Sequence, residues 1–279
     1  MNVHYGDTIG ERGNLVAIDC QECKFIHLKP MPIDTVYESG EYHSRVKPDM
    51  QKEYNNDAEW WNMVYGDFLS MLDVDRKWLL DVGAGHGHFV RYARRHKWVA
   101  SGIEADPTLA KANNFQHGPY NEIRPHMPAN VISAHWVLEH LPDPTHFIQW
   151  CYNLLPMGGL VMLTVPNDFT AIQYKAAAQV GRAFYWLNEH HINYFNRKSL
   201  SNLLSRNGFD VIRSYGSWTP EHHLLDGLNY LDDHTLGRQL HADRMRDELA
   251  MPTWLRRGLM RVNGLLSIGR DLTVVARRR

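Results

Sequence analysis

Three glycines and two acids set the chemistry open to this chain. Asp81 follows the apolar run Trp78, Leu79 and Leu80, and Gly83, Gly85 and Gly87 come next at alternate positions, with Ala84 between the first two. Phe89, Tyr92, Ala93 and His96 then recur at i, i+3, i+4 and i+7, the spacing of one buried helix face. A second apolar run, Trp98 to Ile103, ends at Glu104. Strand, glycine turn, helix, strand and acid make half of a nucleotide-binding α/β domain. The glycines permit a tight turn and close approach of a ligand to the backbone. The helix N-terminus offers unpaired N–H groups. A carboxylate ending the second strand can accept hydrogen bonds from both ribose hydroxyls.

The spacing separates two nucleotide classes. A dinucleotide fingerprint requires a third glycine at position 88, which is His88. The pattern here is G-x-G-x-G, opened by an acid, and it resembles the first motif of class I S-adenosylmethionine (SAM) methyltransferases. Two later stretches extend the resemblance. Asn130 to Ala134 reads as a strand running into HWVLEHL, and LLPMGG precedes an apolar strand ending in Pro166-Asn167. The family commonly has L-x-P-G-G at the second of these, and Met157 stands in place of its first glycine. The resemblance covers about residues 58–215 and the last strand.

The resemblance implies SAM as cofactor. Asp81, Gly83, Ala84, Gly85 and Gly87 would hold its amino-acid end, Glu104 the ribose, and His135 and Trp136 a flank. Asp106 followed by Pro107 already has a structural role as a helix N-cap with proline at N1. In relatives of the ubiquinone-pathway and sugar methyltransferase type, a histidine in the segment here read as Glu189-His190-His191-Ile192-Asn193-Tyr194-Phe195 reaches the substrate side. Neutral imidazole titrates in the range needed to take a proton from a hydroxyl. His190 and His191 are therefore the candidate catalytic residues, unranked between them, and Glu139 and His140 are left between bracing a helix start and function.

These residues need a scaffold to position them. The expected fold is α/β: a Rossmann-like seven-stranded, mostly parallel sheet, its short final strand antiparallel as in the resembled family. The expected organisation is an N-terminal hairpin and lid segment (1–57), a SAM-binding core (58–215), an inserted helical cap (216–270), and the last core strand with a basic tail (271–279). In the hairpin, strands at 15–18 and 25–28 flank Cys20-x-x-Cys23, half of a zinc-ribbon signature, with His27 as a third donor. No second C-x-x-C follows, so no metal is expected. Tyr42 and His43 in the lid are read mainly as loop packing. The cap carries Leu224, Leu228, Leu231, Leu236 and Leu240, and such insertions shape acceptor pockets or dimer surfaces. Arg256, Arg257 and Arg261 read as solvated helix faces.

Composition narrows the partners. The chain has 279 residues, 44% hydrophobic and 22% charged, with a formal net charge of −1. That balance gives no electrostatic footprint for nucleic acid or an anionic membrane. No apolar run approaches the roughly 20 residues of a membrane span. The first residues lack the pattern of a secretory signal, and three cysteines are too few for a disulfide framework. The expectation is a cytoplasmic enzyme of small-molecule biosynthesis, an O-methyltransferase acting on a small polar acceptor, with a homodimer compatible. An NAD-dependent oxidoreductase and a non-catalytic SAM-binding subunit are the alternatives.

Overall fold

The structure is a computed structural model that describes residues 4–31, 39–40 and 49–279. Tyr42 and His43 lie outside the described residues. The chain opens with an antiparallel sheet. Strands β1 (Gly6–Arg12), β2 (Leu15–Cys20) and β3 (Ile26–Leu28) pair in turn, and a two-residue strand from far along the chain, β9 (Asn193–Tyr194), adds to β3. The sequence shows only a hairpin here. β1 is hidden because a single one of its residues, Gly10, is buried, so it carries no apolar alternation. A Cβ at Gly10 would stand 2.7 Å from the Phe184 ring, which explains a glycine inside a strand.

The second sheet is the expected one. Strands β4 (Trp78–Val82), β5 (Val99–Glu104), β6 (Gln116–His117), β7 (Val131–His135), β8 (Leu160–Pro166), β10 (Phe209–Gly216) and β11 (Asp271–Arg278) form seven strands in the order β10-β11-β8-β7-β4-β5-β6. β4 to β8 run parallel. β11 is antiparallel to both β8 and β10, and at eight residues it is not short. β4 lies between β5 and β7, so the winding reverses there. A ligand crevice is expected at the carboxyl ends of strands flanking such a switch.

Both faces of this sheet are covered, as parallel strands require. Leu79 of β4 joins Tyr65, Phe68, Phe89 and Val90 from helices α2 (Ala58–Ser70) and α3 (His88–Arg95). Leu80 and Val82, pointing the other way, join Phe147, Ile148, Leu200 and Leu203 from α5 (Pro144–Leu154) and α7 (Arg197–Arg206). Helix starts follow local chemistry. Asp106 caps α4 (Pro107–Asn113) by accepting from Thr108 and Leu109 N–H at 2.7 and 3.1 Å. Thr170 and Gln173 form a capping box on α6 (Ala171–Val180). A further short helix, α1 (Met50–Asn56), precedes α2.

Between β10 and β11 lie α8 (Glu221–Leu225), α9 (His234–Ala250) and α10 (Thr253–Leu266). Gly264 lets α10 press onto β10, since a Cβ there would stand 2.6 Å from the Ser214 carbonyl. The leucines of α9 do not form a buried face; none of its residues is buried. Helices α9 and α10 are also tied to α2 by polar contacts. Asp67 of α2 takes Arg256 Nε at 2.9 Å and Nη2 at 3.1 Å, and Arg257 Nε at 2.7 Å. Trp60 donates its indole N–H to Glu248 at 2.6 Å. Arg256 is therefore a buried anchor, 7% exposed, and not the solvated cation its sequence context suggests.

Candidate functional site

The glycine loop joins β4 to α3, and its backbone explains its composition. Gly83, Gly85 and Gly87 have φ of +70°, +53° and +74°, values that cost an L-residue roughly 1–2 kcal/mol each. At Gly83 a Cβ would also collide with Val137 at 2.6 Å. At Gly85 it would meet nothing within 4 Å, so there the backbone borders open space. The Gly83 and Ala84 N–H groups donate to Ile103 O at 2.9 and 3.1 Å, fixing the loop against β5. Glu104, 5% exposed at the end of β5, accepts from Gly85 N–H at 2.6 Å and Asp106 N–H at 2.9 Å. Loop and acid, nineteen residues apart, thus form one unit.

Asp81 sits behind the loop and accepts the Ser133 hydroxyl at 2.6 Å, from the residue opposite it on β7. Burial pushes its carboxyl up to about 7, and the Glu104 carboxylate adds to the push. His88, where a dinucleotide site needs glycine, begins α3 and stacks on Tyr54 at 3.2 Å between ring centres.

His135 ends β7. Its ring lies parallel to Phe68 at 4.6 Å and edge-on to Phe89 at 4.9 Å, and its Nδ1 is hydrogen-bonded to Thr164 at 2.8 Å. Burial holds this imidazole neutral, its pKa lowered to about 3. Packing accounts for the ring and leaves Nε2 without a partner among the described residues. Trp136 adopts φ +56°, rare for a bulky residue and the kind of strain that collects at functional sites. Its N–H reaches Thr164 O at 2.8 Å, and its indole donates to Asp271 at 3.0 Å. The indole borders a largely apolar cleft between α2, α9, α10 and the sheet, with Met63, Phe68, Ser217, Trp218 and Asp271 on its walls.

A glycine loop bordering open space, a carboxylate bonded to its N–H, and a strand-order reversal at β4 fit an adenosyl cofactor. Residues 64–214, more than half of the chain, match the family described as a methyltransferase domain. The chain belongs to the class I SAM-dependent methyltransferase family. S-adenosylmethionine is the cofactor this membership implies. A probable S-adenosylmethionine-dependent methyltransferase of Mycolicibacterium smegmatis is 27% identical over 166 residues, 59% of this chain and 59% of the relative. The chain thus spans about three fifths of that relative's length. Among solved structures, a SAM-dependent methyltransferase from Archaeoglobus fulgidus superposes with a TM-score of 0.52 at 16% identity, over 79% of this chain and 94% of its own. One from Thermotoga maritima gives 0.53 at 12% identity, over 87% and 100%. At such identities the likeness is one of fold.

The histidine segment is brought to the turn that follows β7. Asn193 donates its amide to Leu138 O and Leu141 O at 3.1 and 2.7 Å, and Ile192 N–H donates to Glu139 O at 2.7 Å. His140 Nδ1 donates to His190 O at 2.6 Å, and the His191 ring stands edge-on to His140 at 5.0 Å. Glu139, His140 and His191 present ligand-type atoms within 4.8 Å of one another. Glu139 is 1% exposed, and neither of its oxygens has a hydrogen-bond partner among the described residues. Burial pushes its carboxyl well up, and Asp271 and Asp168 push it further. His191 goes the other way, lowered to about 3 by burial first and then by His140. His190 is more open, its side chain 31% exposed, with Nε2 at 3.8 Å from Glu189 Oε1.

Sequence reasoning found the loop and its acid but not Ser133, Thr164 or Asp271. Each meets its partner across 29 to 135 residues, and no local pattern marks such a pairing. Among the described residues, no helix is long and apolar enough to cross a membrane.

Proposed function

We propose that this methyltransferase moves the SAM methyl group to a hydroxyl oxygen of a small polar acceptor, a sugar-like or natural-product intermediate, with His190 taking the hydroxyl proton. The observation that carries the reading is the approach of the histidine segment to the turn after β7, beside the strand that flanks the glycine loop. In this reading Glu104 would hold the ribose, Asp81 and the loop Gly83, Ala84, Gly85 and Gly87 the amino-acid end, and Trp136 with His135 a flank. When bound, SAM supplies an electrophilic methyl on a sulfonium that becomes a neutral thioether. The chain's own work is to align the acceptor oxygen, exclude water and receive the proton. His190, partly exposed beside Glu189, can take that proton, be steadied as imidazolium, and release it to solvent. His191, held near pKa 3, stays neutral and suits an orienting hydrogen bond.

A second reading, transfer to an amine, is favoured by one observation. Asp271 and Asp168 add to the upward push that burial gives the Glu139 carboxyl, and a cationic acceptor beside it would relieve that push. The test is a label-transfer assay with methyl-labelled SAM against panels of hydroxyl, amine and carbon-acid acceptors, with the product solved by mass and NMR. Label on oxygen, with His190→Gln lowering kcat by about a hundredfold or more at unchanged SAM affinity, is the expected result. Label on nitrogen moves the assignment to the second reading. Full turnover by His190→Gln overturns the base.

A further inference from the structure

The N-terminal sheet gathers four donor side chains that methyl transfer does not use. Cys20 ends β2, Cys23 lies in the following turn, His27 is the central residue of β3, and His4 stands just before β1. In sequence only three of these group together. The fold supplies the fourth, because β1 pairs antiparallel with β2, matching Gly6 with Cys20 and bringing the residues ahead of β1 to the end of β2.

One donor atom from each of the four side chains falls within 4.8 Å of all the others. His4 Nδ1 stands 3.2 Å from Cys23 Sγ and 3.7 Å from Cys20 Sγ. A tetrahedral zinc ion, with Zn–S about 2.3 Å and Zn–N about 2.0 Å, separates its sulfur and nitrogen ligands by about 3.5 Å. The two imidazoles are 4.9 Å apart at 89°, a crossing that lets both aim at one centre.

His27 adds an independent sign. It is fully buried, its Nδ1 donates to Leu28 O at 2.8 Å, and its Nε2 has no hydrogen-bond partner among the described residues. A buried polar atom left unpaired costs about 1–3 kcal/mol. A carbonyl fixing one ring nitrogen so that the other presents its lone pair is how metal-bound imidazoles are oriented. The turn is shaped to match. Cys23 N–H points at Cys20 Sγ at 3.4 Å, and Lys24, at φ +62°, returns its N–H to Cys20 O at 2.8 Å. A Cys20–Cys23 disulfide would leave both imidazoles unexplained.

We propose that His4, Cys20, Cys23 and His27 bind a structural zinc ion. Four protein donors fill the tetrahedron and leave no position open for a substrate or water, which makes the site a staple and not a catalytic centre. Its place gives the staple a purpose. β3 pairs with β9 through Ile26 with Tyr194 and His27 with Asn193, and β9 begins three residues after His190. The ion secures the strand against which the acceptor-side histidines are set. The proposal stands apart from the acceptor assignment and holds whichever atom is methylated.

The experiment uses the full chain without a polyhistidine tag, purified under reducing conditions from zinc-supplemented cells. Metal is measured by mass spectrometry, and zinc is exchanged for cobalt. The expected result is about one zinc per chain and, with cobalt, a thiolate charge-transfer band beside intense tetrahedral d–d bands. His4→Gln, a change at the edge of the sheet, should weaken zinc retention against a chromogenic chelator by at least about tenfold while the circular dichroism spectrum stays native. Cys20→Ser should lower the charge-transfer intensity by about half, one of the two thiolates being gone. Wild-type chain with neither zinc nor a cobalt–thiolate band would overturn the proposal. Zinc retention and cobalt spectra unchanged in His4→Gln would also overturn it, leaving a bare C-x-x-C.

Discussion

Asp81 and Glu104 are both buried acids at the loop, yet they are prepared for different tasks. Both Glu104 oxygens accept from backbone N–H groups, which fix the carboxyl in place. Asp81 has one hydroxyl donor, and burial brings its carboxyl up to about 7. A cationic ligand group beside it favours the anion. The anion is present above about pH 7 and is lost as pH falls through that value. SAM affinity should therefore drop on acidification from about pH 8 to 6, approaching tenfold per unit at the lower end. Asp81→Asn should bind more weakly with little pH dependence. Calorimetric titration across that range checks both, and a flat wild-type profile would mean that Asp81 does not meet the ligand's charge. The loop glycines and Glu104 were legible in sequence because their reason is local, in positive φ and a strand end. Ser133 and Asp271 were not, because their partners meet only in the folded sheet.

Helices α9 and α10 are tied to α2 by polar side-chain contacts. Asp67 of α2 holds Arg256 and Arg257 of α10, and Trp60 holds Glu248 of α9. Breaking a buried ion pair from one side costs about 3–5 kcal/mol, since the charge left behind has lost its partner. Arg256→Ala should fall at the low end, about 3 kcal/mol, because Arg257 still faces Asp67. Chemical denaturation reads this directly. A loss below 0.5 kcal/mol, about the size of a surface pair, would show that the helices are held by something else. These contacts escaped the sequence reading because Arg256 and Arg257 sit in a helix with other cations, and such a run signals solvent unless a buried acid lies 189 residues upstream. β4, β5, β7 and β8 were legible as apolar runs between turn signals. β1 and β9 were not, one having Ile9 as its single large apolar residue and the other being only two residues long.

For the whole molecule, two sheets share one working edge. The segment 188–195 leaves the main domain, adds a strand to the N-terminal sheet, and returns to the end of β8 through the Asn167–Phe195 bridge and the Asp168 N–H to Phe195 O bond at 3.0 Å. The N-terminal sheet is thereby coupled to the carboxyl edge where β4 and β7 flank the glycine loop. The dinucleotide alternative has lost its support, since His88 is built into α3 against Tyr54 and the chain belongs to the methyltransferase family. Binding of an adenosyl cofactor at that loop is what every other assignment of the methyl-transfer site rests on. The most direct measurement is calorimetric titration with SAM, S-adenosylhomocysteine and NAD, for the wild type and for Gly85→Asp. Position 85 has room for a side chain within its own fold, so the variant should stay folded while setting a second carboxylate beside Glu104. The wild type should bind both adenosyl ligands and not NAD, and Gly85→Asp should abolish binding with its melting temperature lowered by only a few degrees, about 1–2 kcal/mol. Binding of NAD alone, of no ligand, or of SAM equally well by the variant would contradict it.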